Sequence, residues 1–374
     1  MSFDEVIDRS NSDSSRWGGR GEVLALTIGD SDFRLPVAVE EAISTRMTGV
    51  HGYDTVPDRL KLAIAERLER LYGWQVQLDW FFFMPGVVQG LNLCCRALTG
   101  PHESIVTEVP IYYPFLHAPL NAGRKRLELP AVKNGDSWQF DHDSFEVLAS
   151  DPDCRLLMLC HPHNPLGRVL SHSDLERIAE ICEKHNVLIC SDEIHADILF
   201  GGARHIPMAA VSEEAAARTV TLSSPSKAFA MSGLGGAFAI IPNAEIRERF
   251  RRWAAGLVPN ISVLSLAAMH AAYSECEDWL REEVAYLADN RDYLVSRFLK
   301  MGRIRVLPPQ ATYFLWLDFQ ETGWNDSYQK LLDHGVQLSD GSKFAGPGYL
   351  RLNFASPRSV LEEAADRIER ALAD

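Results

Sequence analysis

The chain lacks the features that mark secreted, membrane-bound and metal-binding proteins. Its seven cysteines are an odd number in 374 residues, with no CxxC motif and no cysteine–histidine spacing typical of a metal site. No apolar run approaches the ~18 residues of a membrane span. The polar first twenty residues have no apolar core like that of a signal peptide. These absences predict a cytoplasmic protein with free thiols, no membrane partner and no resident metal.

Positive charge is also scarce. Lysine and arginine number 37 against 51 aspartates and glutamates, which gives a formal net charge of −14. So acidic a chain is not expected to bind nucleic acid or an anionic membrane surface. The apolar content of 46% and the charged content of 24% are ordinary for a globular protein, and the length suffices for two domains.

Short apolar segments alternate with helical patterns in the middle of the chain. Strands are predicted at 104–110, 155–162, 187–194 and 219–225, with a helix at 174–186. Near-continuous apolar strands separated by helices indicate a parallel sheet buried on both faces, and therefore an α/β fold. A long helical region at about 262–300, strands within 306–319 and 348–355, and a helix from about Ser359 predict a smaller α+β domain.

We expect three parts along the chain. Residues 1–45 form an N-terminal segment that joins the small domain, 46–250 form the large domain, and 251–374 carry a long connecting helix and the small domain. In an open parallel sheet, ligands bind at the carboxyl ends of the strands. Asn164, Asp192 and Lys227 follow or close three predicted strands, and a ligand site is therefore expected there.

The segment TLSSPSKAFAMSGLGG (221–236) places a single lysine, Lys227, in apolar and glycine-rich sequence. Desolvation lowers the pKa of a lysine, and the neutral amine is then a nucleophile for an aldehyde cofactor. The ordinary alternative is a solvated loop lysine, which is the better interpretation for any one lysine taken alone. The neighbouring segments decide between the two.

A pyridoxal phosphate site needs several groups besides an amine. Asp192, at the end of a strand, is a candidate partner of the ring nitrogen. Asn164, in HPHNPLGR, can donate to the ring oxygen, and Tyr112, in EVPIYYPF, can stack on the ring. Each has an ordinary alternative, respectively a helix-capping or surface aspartate, a turn asparagine and a core tyrosine.

The phosphate and the substrate also have candidate ligands. A Pro-Gly turn opens an apolar helix in MPGVVQGLNL (84–93), and free N–H groups at a helix start favour phosphate. Ser224 and Ser226 flank the lysine as phosphate ligands or loop caps. Arg351, within an apolar strand, needs an anion, either a substrate carboxylate or a structural one. Tyr53 is a phosphate ligand or a turn tyrosine.

In this order and spacing, the segments resemble fold-type I pyridoxal phosphate enzymes of the aminotransferase class I/II superfamily. Within it the chain is most similar to the MalY/PatB-type cystathionine β-lyases, also called C–S lyases. The resemblance covers nearly the whole chain and lies in FDEVIDRSNSDSSRW, GYDTVPDRLKLAI, PIYYPF, HPHNPLGRV, VLICSDEIHADI, SPSKAFAMSGL, PQATYFLWLDF and RLNFASPRSVLEEA. It implies a large domain with a mostly parallel seven-stranded sheet between helices, and a smaller α+β domain.

The resemblance also implies roles for single residues. Lys227 would form the Schiff base, Arg351 would bind the substrate carboxylate, and both would act in catalysis with Tyr112. Tyr53 would reach the partner's site, because these enzymes are homodimers with shared active sites. His195 occupies the place of a tyrosine that touches the ring oxygen in many transaminases. The implied cofactor ligands within one subunit are Lys227, Asp192, Asn164, Tyr112, Gly86, Val87, Ser224, Ser226 and His195.

Two departures from related patterns bear on the reaction. Most transaminases have an arginine that binds the phosphate eight residues after the lysine. This chain has Gly235 at that position, which fits the lyase branch. The segment LTIGDSDF (26–33) stands where the branch usually has W-V-A-D-M-D-F and lacks the tryptophan. That segment lies near the substrate in relatives.

The expected reaction is β-elimination from L-cystathionine, and from L-cysteine or other S-substituted cysteines, to a thiol, pyruvate and ammonia. The alternative is an aminotransferase acting on an L-amino acid, which would use the same residues. A third interpretation is a non-catalytic regulator on the same fold. The intact set of Lys227, Asp192 and Arg351 argues against that third interpretation.

Overall fold

The computed structural model describes residues 3–374 of the chain. The strands are β1 (Leu24–Ala25), β2 (Phe81–Met84), β3 (Ser104–Val109), β4 (Lys125–Pro130), β5 (Val132–Asn134), β6 (Ser137–Gln139), β7 (Cys154–Cys160), β8 (Leu188–Asp192), β9 (Thr219–Ser223), β10 (Ala237–Ile240), β11 (Arg305–Val306), β12 (Phe314–Asp318), β13 (Val336–Gln337), β14 (Ser339–Asp340) and β15 (Tyr349–Asn353). The helices are α1 (Val37–Arg46), α2 (Asp58–Tyr72), α3 (Val87–Leu98), α4 (Tyr113–Asn121), α5 (His142–Ala149), α6 (His172–Lys184), α7 (Glu213–Arg218), α8 (Ala244–Ala254), α9 (Val263–Glu275), α10 (Glu277–Met301), α11 (Ser327–Asp333) and α12 (Arg358–Ala373).

The centre of the fold is a seven-stranded sheet in the order β2-β10-β9-β8-β7-β3-β4. All neighbours in it are parallel except β10, which runs antiparallel to both β2 and β9. The four predicted strands are confirmed as β3, β7, β8 and β9, and they are adjacent at the middle of the sheet. The α/β fold class with a mostly parallel seven-stranded sheet is therefore confirmed.

Both faces of this sheet are covered by helices. In β7, Leu156 and Met158 pack into one core with residues of α3 and α8, whereas Leu157 and Leu159 pack into another with α5 and α6. Successive strand residues point to opposite faces, so a strand buried on both sides must be apolar throughout. Helix α6 begins where a capping box between Ser171 and its N3 residue satisfies the first N–H groups.

The C-terminal part contains a four-stranded antiparallel sheet in the order β11-β12-β15-β14. The helical region predicted at 262–300 is two helices, α9 and α10, which meet at Cys276. The short strands β1 and β13 pair in parallel, with Leu24 opposite Val336. Strands of two or three residues carry too little periodicity to be found in sequence, and β1 and β13 were not predicted.

A buried arginine, Arg16, links the N-terminal segment to the C-terminal part of the chain. The Arg16 guanidinium donates to the carbonyl oxygens of Ala25 at 2.6 Å and Asp30 at 2.8 Å. It also contacts the hydroxyl of Ser356 at 2.8 Å and the carboxylate of Asp32 at 3.2 Å. Because these donors reach both the 25–32 segment and the residues that follow β15, they hold the two together.

Glu283, in α10, is a buried acid without a hydrogen-bond partner among the described residues. Glu283 is fully buried, and neither carboxylate oxygen has a hydrogen-bond partner within residues 3–374. Burial raises the pKa of this carboxyl well above its ordinary value, because the charged form is desolvated. A group of this kind lowers stability as the pH rises from its unfolded-state pKa towards its folded-state pKa.

We therefore expect Glu283→Gln to raise the free energy of unfolding at pH 7 to 8 by about 1–3 kcal/mol. The gain should shrink as the pH falls towards 4, since the wild-type carboxyl is then protonated in both states. Denaturant unfolding at several pH values measures this, with the exposed neighbour Glu282→Gln as control. An equal effect of the two substitutions at every pH would contradict the assignment.

Candidate active site

A cavity of about 230 Å³ lies at the carboxyl ends of β7, β8 and β9. Nine predicted site residues line it, contributed by α3, by the loops after β3, β7 and β9, by the end of β8 and the residues after it, and by β15: Gly86, Val87, Tyr112, Asn164, Asp192, His195, Ser226, Lys227 and Arg351. The fold thus brings together side chains that are as far as 265 positions apart in sequence (from 86 to 351). Parallel strands deliver their carboxyl ends to the same edge, which is why this happens.

Lys227 is held by the backbone of the N-terminal segment. Its Nζ donates to the carbonyl oxygen of Gly29 at 2.5 Å and lies 3.5 Å from Ser232 Oγ. Desolvation lowers the pKa of this amine to about 8. The Asp30 carboxylate acts against that shift and the Arg351 guanidinium adds to it. About half of this lysine is therefore in the neutral, nucleophilic form near pH 8, and a smaller part near pH 7.

Asp192 closes β8 as a buried carboxylate. Its Oδ1 accepts the backbone N–H of Ile194 at 3.2 Å, and no cation forms an ion pair with it among residues 3–374. Burial raises its pKa to about 7. A buried carboxylate without a cation is costly, so this position is prepared for a cationic group that enters the cavity.

Arg351 and Asn164 meet across the cavity. Nη1 of the arginine donates to Oδ1 of the asparagine at 2.9 Å, which leaves the Asn164 Nδ2 group as a donor. The guanidinium lies 3.9 Å from the ring centroid of Phe314, and its Nε has no partner among the described residues. Burial lowers the pKa of Arg351 to about 10, and the group still carries a charge that an anion can neutralise.

The start of α3 provides free backbone donors. Gly86 precedes the helix in extended conformation without a side-chain cap, so the first N–H groups of the helix have no side-chain acceptor there. Ser226 lines the cavity beside this helix start. Ser224 lies behind the wall, where its hydroxyl donates to the Gly236 carbonyl at 2.7 Å and accepts the Ser226 N–H at 3.1 Å.

Gly235 has a structural reason for being glycine. Its φ is +71°, and a Cβ atom there would lie 3.1 Å from the carbonyl oxygen of Pro85. A side chain at this position would be strained in its backbone and crowded against the turn that starts α3. The arginine that many transaminases place eight residues after the lysine does not fit this backbone.

Two aromatic residues complete the cavity wall. Tyr112 is half-buried, and its backbone N–H donates to the Asn164 carbonyl at 3.0 Å. His195 is buried with its ring edge-on to Tyr313 and Phe314, at centroid distances of 5.9 and 5.7 Å, and its Nδ1 has no partner among the described residues. Desolvation holds the pKa of His195 well below its ordinary value, so this ring is neutral.

Tyr53 lies away from this cavity. Its side chain is 98% exposed, in the segment that precedes α2. Nothing in one subunit connects it with the cavity, and the predicted role towards a partner subunit stays a prediction.

Sequence reasoning missed several cavity residues. Gly29 contributes a backbone carbonyl, Ser232 a hydroxyl and Phe314 a ring. A carbonyl oxygen has no signature in side-chain chemistry, and Phe314 has the character of a core residue. The segment LTIGDSDF, which departs from the related pattern, was the one available signal for Gly29.

These residues fit pyridoxal phosphate. The unpaired buried carboxylate of Asp192 matches a protonated ring nitrogen, Lys227 matches an aldehyde, and the α3 start with Ser226 matches a phosphate. Within residues 3–374 no group of three or more histidines, cysteines or acids could hold a metal ion. The fold and the site together define a fold-type I pyridoxal phosphate enzyme.

The chain belongs to the aminotransferase class I and II family, whose model matches residues 21–368. Cystathionine β-lyase PatB of Bacillus subtilis strain 168 is 34% identical, and the alignment covers 100% of both chains. The crystal structure of OvoB is 39% identical, with a TM-score of 0.97 over 100% of both chains. The crystal structure of cystalysin from Treponema denticola, which contains pyridoxal 5′-phosphate, is 28% identical with a TM-score of 0.96, covering 100% of this chain and 99% of that one. The predicted resemblance to PatB-type enzymes is confirmed.

The pKa of Lys227 generates a prediction for the cofactor-free protein. The rate at which this protein takes up added pyridoxal phosphate should rise with pH, and the midpoint of the rise should lie near pH 8, because only the neutral amine reacts. Absorbance of the bound cofactor measures that rate. Asp30→Asn should move the midpoint to lower pH and Arg351→Gln to higher pH, since the two charges act on Lys227 in opposite directions. A wild-type midpoint near that of a free lysine, or shifts of the same sign, would contradict this.

Proposed function

We propose that this protein is a pyridoxal phosphate-dependent carbon–sulfur β-lyase. It would cleave L-cystathionine, and L-cysteine or other S-substituted cysteines, to a thiol, pyruvate and ammonia. The observation that carries the proposal is the convergence of the Lys227 amine, the Asp192 carboxylate and the Arg351 guanidinium in one buried cavity. The names of PatB, a cystathionine β-lyase, and of other relatives favour elimination over amino-group transfer.

The proposed division of labour follows from the geometry. Pyridoxal phosphate, when bound, supplies an aldehyde for amino groups and a ring that accepts electrons from the substrate α-carbon. Arg351 binds the substrate α-carboxylate and fixes the orientation of the α-C–H bond. The neutral Lys227 amine removes the α-proton and then holds it as ammonium for the departing sulfur. Asp192 keeps a proton on the ring nitrogen.

The other cavity residues support these groups. Asn164 donates to the ring oxygen through Nδ2, while its Oδ1 orients Arg351. Tyr112 stacks on the ring. The phosphate binds at the start of α3, at Gly86 and Val87, with Ser226 as a direct ligand and Ser224 placing the Ser226 N–H.

A product assay separates this reaction from transamination. With L-cystathionine and no added keto acid, we expect thiol and pyruvate in equal amounts. Lys227→Ala should lower the rate by about 10²–10⁴-fold or more, because the general base is removed. Lys184→Ala, on the exposed surface of α6, is the matched control and should keep wild-type activity. Product formation only after a keto acid is supplied would support an aminotransferase.

We further propose that the enzyme is a homodimer whose active sites are shared. The support is the position of Tyr53, fully solvent-exposed in one subunit although it belongs to a segment that matches the family pattern. A phosphate ligand supplied by the partner would be exposed in this way. Tyr53 would then hydrogen-bond the phosphate of the other subunit's cofactor.

Subunit mixing tests this arrangement. Tyr53→Ala should weaken cofactor binding by about 10–100-fold, the worth of one hydrogen bond to a charged group. Equal mixing with Lys227→Ala should restore about one quarter of wild-type activity, because half the dimers are hybrids with one complete site. Mixing that restores nothing, while the dimer is shown to form, would contradict a shared site.

Two coarser features are also proposed. The division at residues 45 and 250 is supported by the strands, since β2 to β10 lie between these positions and β11 to β15 follow them.

A cytoplasmic location is supported by the cysteines, which are all seven buried free thiols. No helix within residues 3–374 has the length and apolar content needed to cross a membrane.

A further inference from the structure

A larger cavity of about 750 Å³, here called the outer cavity, adjoins the active site. It shares Gly29, Tyr112 and Arg351 with the smaller cavity. A substrate whose α-carboxylate is bound by Arg351 therefore lies at the junction of the two. The substituent on its sulfur can extend into the outer cavity, which has ample room for it.

Two charged residues that line the outer cavity are held by other groups of the chain. The carboxylate of Asp340 accepts the backbone N–H of Ser342 at 2.9 Å and also its hydroxyl. The guanidinium of Arg126 pairs with the Glu128 carboxylate and donates to the Leu116 carbonyl oxygen. Only the charge of Arg126 is neutralised in this way, because the groups that hydrogen-bond to Asp340 are neutral and leave its negative charge in place.

Two cations in the wall have no counter-charge. Lys343 makes no hydrogen bond or ion pair within residues 3–374. Arg20 donates to the backbone carbonyls of Arg16 and Ser15, each at 3.0 Å, and forms no ion pair there. Together with Arg351, these two cations outnumber the one unpaired carboxylate of the wall, Asp340, so the wall is positively charged in a chain with a net charge of −14.

The turn that carries Lys343 packs against the substrate-binding arginine. It lies in the short 3-10 helix Gly341–Phe344, and the Phe344 ring is 4.8 Å from the Arg351 guanidinium. Strand β14, directly before this turn, pairs with β15, with Ser339 opposite Arg351. The sheet register thus sets the backbone position of Lys343 relative to that of Arg351.

A third cavity, of about 550 Å³, adjoins Lys227 but offers no such field. Arg9 pairs there with Asp30 at 3.0 Å and Asp32 at 3.2 Å. Arg16 adds a contact to Asp32 at 3.2 Å. Because these charges neutralise one another, discrimination by charge belongs to the outer cavity.

We propose that the outer cavity is a specificity subsite for S-substituents that carry a carboxylate, recognised by Lys343 and Arg20. The inference rests on the proposed lyase function, in that the cavity receives the sulfur substituent. Its substrate class is S-(carboxyalkyl)-cysteines and similar conjugates, in preference to S-alkyl or neutral amide conjugates of the same size.

A matched substrate pair tests this on the holoenzyme. S-(2-carboxyethyl)-L-cysteine and S-(2-carbamoylethyl)-L-cysteine have nearly the same shape and differ in one negative charge. We expect the carboxylate to have about a 3- to 10-fold higher kcat/KM, mostly through KM, as two exposed ion pairs would give. Raising the salt concentration should reduce this ratio.

Variants assign the preference to residues. Lys343→Gln should lower the ratio about 2- to 3-fold and leave kcat/KM for the amide unchanged. Adding Arg20→Gln should bring the ratio close to one, and Lys330→Gln, on the surface of α11, is the control. Arg20 also binds backbone carbonyls, so the double variant could lose stability. In that case the single variant Lys343→Gln provides the test. A ratio near one in wild type, or a ratio that Lys343→Gln leaves unchanged, would overturn the inference.

A binding measurement separates this inference from the proposed function. 2-Aminopimelate has a methylene in place of sulfur and cannot undergo the elimination, and 2-aminoheptanoate is its neutral counterpart. The holoenzyme should bind the former several-fold more tightly, and Lys343→Gln should reduce the difference. Preference for 2-aminopimelate without thiol release from any cysteine conjugate would refute the lyase function and keep the anion subsite. Thiol release without either preference would keep the lyase and refute the subsite.

Discussion

The hydrogen bond between Arg351 and Asn164 links the four-stranded and the seven-stranded sheet inside the candidate active site. Arg351 belongs to β15 of the antiparallel sheet, and Asn164 follows β7 of the parallel sheet. In the proposed reaction this bond would set the place of the substrate carboxylate relative to the cofactor ring, because Arg351 would bind the first and Asn164 the second. The outer cavity depends on it too, since the turn that carries Lys343 is tied to β15.

The candidate active site brings together three ionisable side chains whose charged forms are destabilised by burial. Desolvation lowers the pKa of Lys227 and Arg351 and raises that of Asp192, so each group moves towards its neutral form. The result suits the proposed reaction. The lysine must be neutral to react, whereas the aspartate regains its charge when a cationic ring nitrogen enters. The Gly29 carbonyl holds the lysine towards the cavity in the meantime.

Much of this could be predicted from particular residues. Near-continuous apolar strands predicted β3, β7, β8 and β9 and the parallel sheet, because a strand covered on both faces has no polar side. The order of Tyr112, Asn164, Asp192 and Lys227 at strand ends predicted one site, and the structure brings these residues to a single cavity. The pairing of β1 with β13 and the Gly29 carbonyl were not predictable, since both depend on backbone groups that are 198 or more positions from their partners.

The sequence by itself determined the fold class, the family and the candidate site residues, because apolar periodicity and the order of reactive side chains can be read along the chain. Only the tertiary structure decided which charges stay unpaired. Asp192 is buried without a cation, and Lys343 lines the outer cavity without an ion pair, because of what packs around each of them. That depends on neighbours distant in sequence, and on burial, which sets the strength of every charge in the site.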